Sequence, residues 1–432
     1  MKVKVLTNVS IYDFHSLRKN CYIKFNSEIE EIGEMKNFND EDINEIYNLK
    51  GSIVMPGLTN CHTHIYSTLS RGMNVPFNPK SFQDILDQLW WKLDAKLDNE
   101  ANYYSALVYG IDCIKNGVTS IIDHHASGLE IIYSLSEIKK AISNELGLRG
   151  IFCFETSDRF NTYECIKENI EFSRKKDEKF AGLFGMHASL SLSDKSLSII
   201  SKELNGLPIH IHVAESQEDV EDCIGKHNMS IVKRLDKFNL LNKESILAHC
   251  VHIDDDEAKI IRDRNCRIAI NPTSNMNNAV GIANYEVFRK NKIKCMIGND
   301  GLGANITRDY LNVVYAMKNK LGSPTKFGLN DLLELIQNGY DYVSNILNIK
   351  IGKIEEGYKS DFITVPYEPP TPLNNDNVLS HIFFGVFESF HPKDVWVDGK
   401  MLMENYQVKY DTEALYEKSV KVAEKVWERV NQ

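Results

Sequence analysis

From residue 53 onwards, short apolar segments alternate with stretches of helical periodicity, and this alternation limits the folds open to the chain more than any other feature. Such alternation is typical of repeated strand–helix units, which build parallel sheets of the α/β class. Eight segments are predicted as strands: 56–62, 118–123, 148–154, 180–187, 207–212, 245–249, 266–271 and 294–300. Eight strands with helical crossovers favour a closed (β/α)₈ TIM barrel over an open doubly wound sheet.

The two ends of the chain show a different pattern of apolar and polar residues. Apolar and polar residues alternate in short bursts at 3–5, 22–25 and 29–32, and similar segments return at 361–365 and 395–403. This pattern predicts antiparallel strands. We expect a composite β-sandwich domain built from residues 1–52 and 350–411, a barrel over residues 53–349, and a C-terminal helix over residues 412–432.

The overall charge and the cysteines argue against several classes of protein. The formal net charge is −10, with 50 basic against 60 acidic residues, and nucleic acids and anionic membranes both select basic surfaces. The nine cysteines are scattered and form no C-x-x-C pair, as expected for reduced thiols in the cytoplasm and not for a disulfide framework. No apolar run reaches the ~20 residues that a membrane helix needs.

Two histidines close the first predicted barrel strand. Residues two apart on a strand share a face, so His62 and His64 can both point into the barrel mouth and bind one metal ion. This pair alone is a weak signal, because two histidines at that spacing also occur by chance at surfaces. His212, His249 and Asp300 strengthen it, since they lie at the carboxyl ends of three other predicted strands, where the catalytic groups of such barrels are found.

Neighbouring histidines leave alternatives for the ligand set. His210 points to the same side of its strand as His212 but lies roughly 6–7 Å deeper, so we interpret His210 as a core or supporting group and His212 as the ligand. His252, three residues after His249, has the same ambiguity. Three imidazoles and one carboxylate suit Zn²⁺, with Fe²⁺ as the alternative, better than Mg²⁺ or Ca²⁺. The fourth predicted strand ends without a lysine that could bridge two metals, so we expect one divalent ion per chain.

Five ordered motifs resemble those of the amidohydrolase superfamily. They are VMPGLTNCHTH (54–64), HIHVAES (210–216), LAHCVHI (247–253), NPTSNMNN (271–278) and GNDGLGAN (298–305). They are most similar to the branch that contains guanine, cytosine and adenosyl-type deaminases and the triazine hydrolases. GKIEEGYKSDFITV (352–365) and VWVDGKML (395–402) resemble the β domain of the same family. Within the branch, DQLWWKLD (87–94), IIDHHASG (121–128) and FETSDRF (154–160) are most similar to the SsnA aminohydrolases.

The resemblance implies a role for each residue that matches a family motif. Four residues would bind the metal: His62, His64, His212 and Asp300. Glu215 would be the proton shuttle, and His249 would orient the water or the departing atom. His187 matches a family position that often touches substrate. Ser274 and Asn275 would support the site or face the substrate.

Three further positions lie near the expected barrel mouth. Adjacent residues of an extended strand point in opposite directions, so only one of His124 and His125 can face the pocket, and the resemblance favours His125. Trp90 and Trp91 lie on a helical run, where one would pack in the core and the other could cover the ligand. Arg159 is a candidate anchor for an anion or a carbonyl group, with a solvated arginine as the alternative.

Together these residues predict a metal-dependent aminohydrolase that acts on a purine-like or related nitrogen heterocycle. A divalent ion would make hydroxide available at neutral pH, and Asp300 would accept the proton of the water. Glu215 would protonate a ring nitrogen and then the leaving amine, which departs as ammonia.

Two other reactions share the same metal ligands. One is hydrolysis of a cyclic C–N amide bond, as in hydantoin- or imidazolone-type members, and the other is displacement of a different leaving group, as in chlorohydrolases. A catalytically silent scaffold would have lost metal ligands, and all of them are present here. The branch also suggests a homo-oligomer, with a small heterocyclic substrate as the only other partner.

Overall fold

The computed structural model describes residues 3–40 and 43–432, and residues 1, 2, 41 and 42 of the predicted β domain lie outside the described residues. The described strands are β1 (Lys4–Tyr12), β2 (Leu17–Phe25), β3 (Ile29–Glu34), β4 (Glu45–Asn48), β5 (Ile53–Pro56), β6 (Leu58–Thr63), β7 (Val118–His125), β8 (Arg149–Phe154), β9 (Phe180–Gly182), β10 (Phe184–Ala188), β11 (Ile209–Val213), β12 (Ile246–His249), β13 (Arg267–Ile270), β14 (Cys295–Ile297), β15 (Phe362–Val365), β16 (Asp394–Val397), β17 (Lys400–Glu404) and β18 (Gln407–Val408).

The described α-helices are α1 (Phe82–Ile85), α2 (Trp91–Asp94), α3 (Asn99–Lys115), α4 (Ser134–Lys139), α5 (Thr162–Ser173), α6 (Asp194–Glu203), α7 (Gln217–His227), α8 (Ile231–Lys237), α9 (Asp255–Asp263), α10 (Pro272–Asn277), α11 (Tyr285–Lys290), α12 (Ile306–Leu321), α13 (Leu329–Leu347), α14 (Val378–His381) and α15 (Thr412–Asn431). Short π-helical segments lie at Leu86–Trp90, Lys140–Glu145 and Ile382–Val386. In the described ranges, no helix combines the length and the apolar character that crossing a membrane requires.

The barrel strands form two hydrogen-bonded groups of parallel strands, β6-β7-β8-β9 and β10-β11-β12-β13-β14. A bridge between Thr63 and Asp300 joins the first and last of these strands, and a bridge between Thr156 and Met186 joins the two groups. Helices connect the strands, and the apolar side chains between the strands and the surrounding helices form the main core. The predicted α/β class with parallel strands is therefore confirmed, and the strands close in the manner of a barrel.

The fourth predicted barrel strand, 180–187, is divided in the structure. β9 pairs with β8, whereas β10 pairs with β11, and Leu183 lies between the two halves. Gly185 allows β10 to approach β8 closely, because a Cβ atom at this position would lie 2.2 Å from the carbonyl oxygen of Phe154. The sequence does not reveal this change of partner, since both halves are apolar and buried.

The two ends of the chain meet in one nine-stranded sheet, with the order β18-β17-β16-β15-β5-β1-β2-β3 and with β4 beside β1. β15, from the C-terminal part, pairs antiparallel with β5, from the N-terminal part. The sheet curls strongly, because the rings of Phe25 on β2 and Phe362 on β15 lie 4.9 Å apart although two strands separate them in the sheet. Trp396 is fully buried in the core that the curl encloses.

We propose that this sheet is a composite domain of residues 1–52 and 350–411, beside a barrel of residues 53–349 and a C-terminal helix of residues 412–432. The strand pairing moves the start of the barrel in this proposal by a few residues. β5 pairs with β1 and β15, so the sheet extends to Pro56 and the barrel begins at Leu58. Because the buried segment is continuous from β5 to β6, the apolar pattern alone does not show where the sheet ends and the barrel begins. The helix α15 packs Val422 and Val426 beside Leu93.

A buried arginine joins the barrel to the sheet. Arg149, at the start of β8, is fully buried, and its Nη2 donates to Asp361 Oδ1 at 2.9 Å and to Asp398 Oδ1 at 2.6 Å. A guanidinium is costly to remove from water unless its donors find charged partners. These two carboxylates supply such partners from the C-terminal strands.

Replacing Arg149 by methionine should lower the free energy of unfolding by about 3–5 kcal/mol, because Asp361 would remain buried without its cation and Asp398 would keep only Lys179. Arg262→Met is the matched control, since the Arg262–Asp263 ion pair is exposed, and it should change the same quantity by about 1 kcal/mol or less. Urea denaturation measures both variants. Equal effects would contradict the role given to Arg149.

Candidate active site

The four side chains predicted as metal ligands converge at the carboxyl ends of the barrel strands. The nitrogen and oxygen atoms that they offer lie within 4.8 Å of one another. Asp300 Oδ1 lies 3.0 Å from His64 Nε2 and 3.5 Å from His62 Nε2. His212 Nε2 lies 3.1 Å from His64 Nε2. Three imidazole nitrogens and one carboxylate oxygen form a donor set that suits Zn²⁺ or Fe²⁺.

Hydrogen bonds on the outer nitrogens of two imidazoles determine which nitrogen faces this cluster. His64 Nδ1 donates to the carbonyl oxygen of His124 at 2.6 Å, and His212 Nδ1 donates to that of His187 at 2.9 Å. A carbonyl only accepts, so Nδ1 carries a hydrogen and Nε2 is the nitrogen that faces the cluster. His62 Nε2 is buried and finds no hydrogen-bond partner among the described residues. Such an orphaned nitrogen beside two other inward-facing imidazole nitrogens fits a bound metal ion.

The cluster attracts positive charge. Burial lowers the pKa of His62 to about 4. Burial acts in the same direction on His64, but the hydrogen bond and the charge of Asp300 outweigh it and raise the pKa of His64 to about 9. Burial alone would raise the pKa of the Asp300 carboxyl, but its close contacts with the imidazoles of His62 and His64 hold that pKa well below the usual value. Between His64 and Asp300 the cluster therefore holds a proton with which a metal cation would compete.

Glu215 lies beside the cluster, directly after β11. Its Oε2 is 3.5 Å from His249 Nε2, and Glu215, His249 and Asp300 also offer ligand atoms within 4.8 Å of one another. His249 Nδ1 donates to Asn275 Oδ1 at 2.7 Å, which leaves Nε2 to face Glu215. Burial raises the pKa of Glu215, although the charge of His249 opposes this. A carboxyl that holds its proton more tightly than usual is suited to general acid–base catalysis.

Left-handed backbone conformations occur beside these side chains. Ala214 has φ 48°, His249 has φ 70° and Asp300 has φ 57°. Such values are uncommon for residues other than glycine, cost about 1–3 kcal/mol each, and cluster at functional sites. Here each follows or ends a barrel strand, where it turns the chain across the barrel mouth.

A cavity that is partly open to solvent lies over this group of side chains. Part of its lining is aromatic and apolar: Tyr66, Phe82, Leu86, Trp90 and Trp91. Another part consists of carboxyl groups: Asp94, Glu155, Glu215, Asp219 and Asp300. The mixture of flat apolar walls with a few polar groups is typical of small-molecule sites.

Trp90 and Trp91 both line the cavity, and Trp90 also packs against the buried side chains of Tyr66, Leu69 and Leu93, as expected for one of the pair. They lie where the π-helical segment Leu86–Trp90 meets α2. A π segment holds more residues per turn than an α-helix and is frequent at functional sites. We attribute the shared direction of the two neighbouring rings to this local change of pitch, which the apolar pattern of the sequence does not show.

Arg159 lies beside this cavity and, with Trp91, lines a neighbouring one, and its role as a substrate anchor stays a prediction. Its guanidinium donates to Asp94 Oδ2 at 2.9 Å and to Glu155 Oε1 at 2.5 Å, and it stacks on Trp91 at 4.7 Å. The two carboxylates balance its charge, and Arg159 in turn holds them at the cavity wall. Sequence reasoning missed both carboxylates. Glu155 could have been found, because it directly follows β8 at the carboxyl end of a barrel strand.

Neither His124 nor His125 is among the residues that line the cavity, and the choice of His125 as a substrate contact stays a prediction. The ring of His125 packs 5.8 Å from the rings of both Tyr66 and Phe154. The ring of His124 points into the barrel, 4.7 Å from that of His212. The two side chains do alternate along β7, but both faces of this strand are buried, so alternation alone does not identify the face that meets substrate.

The remaining predicted residues differ in what they touch. His187 and Ser274 both line the cavity. The Ser274 hydroxyl donates to Asp300 Oδ2, which holds the carboxylate in place. Asn275 lies outside the lining and contacts His249 instead. Of this pair, Ser274 can meet substrate, whereas Asn275 acts only through His249.

His210 and His252 lie away from the candidate ligand atoms. His210 Nε2 is 2.8 Å from His62 Nδ1, on the far side of that ring from the cluster. His252 Nε2 donates to the carbonyl oxygen of Val280 at 2.7 Å. In the described part of the chain, neither histidine belongs to a group of converging ligand atoms.

Asp309 supports the site from the neighbouring helix. It lies on α12 and accepts a hydrogen bond from the backbone N–H of Thr273 at 3.4 Å, on the helix α10 that also carries Ser274 and Asn275. Burial raises the pKa of Asp309 from 3.8 to about 7. The folded protein therefore binds a proton at Asp309 more tightly than the unfolded chain does.

Replacing Asp309 by asparagine should alter how stability depends on pH. The folded pKa is raised, so the contribution of Asp309 is fully present below about pH 4 and is lost as the pH rises through about 7. Relative to wild type, Asp309→Asn should gain free energy of unfolding over this interval, by at most about 4 kcal/mol. Urea denaturation across this pH range measures it, with Asp263→Asn, at a largely exposed position, as control. A difference that stays constant with pH at Asp309 would contradict the assignment.

The sequence of this chain is similar to a known protein family and to several of its members. Residues 53–402 match the model of the Amidohydrolase family. The chain is 30% identical over 398 residues to the 5'-deoxyadenosine deaminase of Methanococcus vannielii, covering 87% of this chain and 89% of that protein. It is 29% identical over 422 residues to the 5-methylthioadenosine/S-adenosylhomocysteine deaminase of Dictyoglomus turgidum, covering 94% of each.

Solved structures show the same fold. A zinc-bound adenosine deaminase from Xanthomonas campestris superimposes with a TM-score of 0.82 at 18% identity, covering 98% of both chains. Atrazine chlorohydrolase from Arthrobacter aurescens, in complex with zinc, gives a TM-score of 0.81 at 16% identity, covering 97% of this chain and 100% of that chain.

The matches confirm the predicted resemblance at the level of the superfamily and of its deaminase and triazine-hydrolase branch. The finer similarity to the SsnA aminohydrolases stays a prediction. Because the family model covers most of the barrel and reaches into the C-terminal strands, the chain belongs to the amidohydrolase family.

Proposed function

We propose that the protein is a metal-dependent aminohydrolase that removes an exocyclic amine from a purine-like or related nitrogen heterocycle and releases ammonia. The observation that carries this proposal is the position of Glu215 and His249 beside three imidazoles and Asp300 at the base of one cavity. Both relatives described above are named as deaminases of adenosine derivatives, which supports the same reaction and the same kind of ring here.

The metal site is part of this proposal. His62, His64, His212 and Asp300 would hold one divalent ion, with Zn²⁺ as the first choice and Fe²⁺ as the alternative. Two solved structures of the same fold contain zinc, which supports the first choice. When bound, such an ion supplies Lewis acidity and lowers the pKa of water to about 7.

Glu215 is placed to move protons between water and substrate. Burial raises the pKa of its carboxyl, so the carboxyl can hold a proton for a ring nitrogen in the cavity. The resulting carboxylate can then accept a second proton and pass it to the leaving amine. His249 presents Nε2 to the same place because Asn275 holds its Nδ1. Asp300 accepts the proton of the water, while Ser274 donates to its Oδ2.

The lining of the cavity favours a neutral, planar substrate that carries hydrogen-bond donors. Five carboxyl groups line the cavity, and Arg159 balances only part of their charge. An anionic substrate would meet repulsion, whereas an amine or a hydroxyl group would find acceptors. Trp90, Trp91 and Tyr66 provide flat surfaces on which a heterocycle can stack.

The state of the cysteines bears on the compartment in which the protein works. All nine cysteines are buried and unpaired, which favours a reducing compartment, and we propose the cytoplasm. A homo-oligomer remains a prediction from the family resemblance.

A substrate screen tests the proposed reaction. Protein loaded with Zn²⁺ or Fe²⁺ should release ammonia from at least one purine, adenosine derivative, pyrimidine or pterin while the ring absorbance persists. Loss of ring absorbance from hydantoin-like rings without ammonia would support cyclic amide hydrolysis instead, and chloride released from chlorotriazines would support dechlorination. Absence of turnover on every ring would contradict the proposal.

Glu215→Gln should separate catalysis from metal binding. The amide is close in size to the carboxyl but cannot exchange protons at neutral pH, so kcat should fall by about 10⁴-fold or more, the upper end for general acid–base catalysis, because one residue serves both transfers. KM should change far less, since the lost interaction belongs mainly to the transition state. Metal content should stay near one ion per chain. Steady-state kinetics and elemental analysis measure these quantities.

Two further variants control this experiment. Glu221→Gln changes an exposed glutamate on α7, the helix that begins two residues after Glu215, and should leave kcat unchanged. His212→Ala removes a proposed ligand and should lose metal and activity together. If Glu215→Gln keeps more than about a tenth of the wild-type kcat, well above the range for a lost acid–base group, the proton shuttle is a different residue.

A further inference from the structure

His62 is held differently from the other two imidazoles of the candidate metal cluster. The outer nitrogens of His64 and His212 donate to backbone carbonyls. Nδ1 of His62 instead faces another imidazole, with Nε2 of His210 at 2.8 Å. A carbonyl only accepts, but an imidazole nitrogen donates or accepts according to its tautomer. The position of the proton on His62 therefore depends on what lies behind His210.

Behind His210 lies the thiol of Cys153. Cys153 Sγ is 3.6 Å from His210 Nδ1 and 3.5 Å from the carbonyl oxygen of Asp123. The side chains of His62, His210 and Cys153 belong to residues that are 0% exposed, so water does not compete for these contacts. Burial raises the pKa of the Cys153 thiol well above its usual range, so the sulfur keeps its single hydrogen.

One placement of the hydrogen atoms gives a donor and an acceptor to each hydrogen bond from the Asp123 carbonyl through Cys153 and His210 to His62. The thiol has one hydrogen and the carbonyl of Asp123 only accepts, so the thiol donates to the carbonyl and its sulfur accepts from Nδ1–H of His210. Nε2 of a neutral His210 then carries a lone pair and accepts from Nδ1–H of His62. The lone pair of His62 Nε2 is left to face Asp300 and the other ligand atoms.

The reversed arrangement is worse in two ways. The thiol hydrogen would turn towards His210 Nδ1, and the carbonyl of Asp123 would lose this donor. His210 would then donate from Nε2, so His62 would carry its hydrogen on Nε2, inside the cluster. A nitrogen that carries a hydrogen cannot bind a metal ion.

We propose that His62, His210 and Cys153 form a relay with one hydrogen-bond direction, which presents an unprotonated Nε2 of His62 to the metal. His210 and Cys153 are positioning residues in this relay, because they act only through His62. The inference rests on the proposed metal site. Removing a partner behind a metal-binding imidazole commonly costs about 10–100-fold in metal affinity, which gives the size of the effect to expect.

The affinity for Zn²⁺, measured by competition with a chromophoric chelator, tests the relay in the full-length protein. Cys153→Ala should weaken Zn²⁺ binding about 10–100-fold, because His210 Nδ1–H loses its acceptor and the tautomer of His210 is no longer held. Cys153→Ser keeps one donor and an acceptor, so its affinity should stay within about threefold of wild type.

Cys295→Ala is the matched control for the small cavity that Cys153→Ala creates. Cys295 is also buried on a barrel strand, but its thiol contacts the carbonyl oxygen of Ile293 and no histidine. Its affinity for Zn²⁺ should equal that of wild type. Equal affinities of Cys153→Ala and Cys295→Ala, or an equal loss in Cys153→Ser and Cys153→Ala, would overturn the relay.

Long-range ¹H–¹⁵N NMR of the imidazoles gives a second test that needs no variant to fold. In the full-length wild-type protein before metal loading, His62 and His210 should both carry their hydrogen on Nδ1. A hydrogen on Nε2 of His210 would overturn the relay. Wild-type protein that binds neither Zn²⁺ nor Fe²⁺ would refute the proposed function instead, and the NMR result would still decide the relay.

Discussion

The contact of the largely buried Asp300 carboxylate with the imidazoles of His62 and His64 is the interaction on which the rest of the site depends. A charge removed from water costs several kcal/mol unless partners compensate it. Here the partners come from the other edge of the barrel, and the bridge between Thr63 and Asp300 closes the ring of strands at the same point. Closure of the barrel and assembly of the ligand cluster are therefore one structural event.

Other elements hold this arrangement from behind. Ser274 donates to the second oxygen of Asp300, and the helix that carries Ser274 is tied to Asp309 through the backbone of Thr273. Backbone carbonyls orient two of the imidazoles, while the third depends on His210. Several contacts hold each of these side chains in place, and together they stabilise the strained backbone at the strand ends. Such redundancy is what a preorganised site requires.

Charge also shapes the region where substrate would bind. The carboxyl groups of the lining lie close enough together that burial and mutual repulsion raise the pKa of several, including Glu155 and Asp219, each to about 7. Arg159 limits this repulsion by pairing with Asp94 and Glu155 from outside the cavity. The aromatic walls lower the polarity of the same space, so each polar contact with a substrate would be stronger than in bulk solvent. A barrel shared by deaminases and chlorohydrolases can thus serve different reactions through its loops.

Local patterns in the sequence were sufficient for the family, for the α/β class and for the placement of His62, His64, His212 and Asp300 at strand ends. Strand alternation and helix periodicity are properties of consecutive residues, and the carboxyl ends of barrel strands meet at one mouth whatever the details of packing. The order of motifs along the chain then indicated the branch, which the relatives confirm.

Only the tertiary structure decided which buried side chains meet the cavity and what they pair with. His124 and His125 occupy opposite faces of β7, and both faces are buried, so the sequence could not distinguish them. Arg159 pairs with Asp94, 65 positions away, and that partner depends on how two loops are folded against each other. The same holds for Cys153 behind His210, since the strands that carry them come together only when the barrel closes. The spacing of apolar residues shows which side of a strand or helix is buried. The partner of a given side chain depends instead on residues that are distant in the sequence and meet only when the chain is packed.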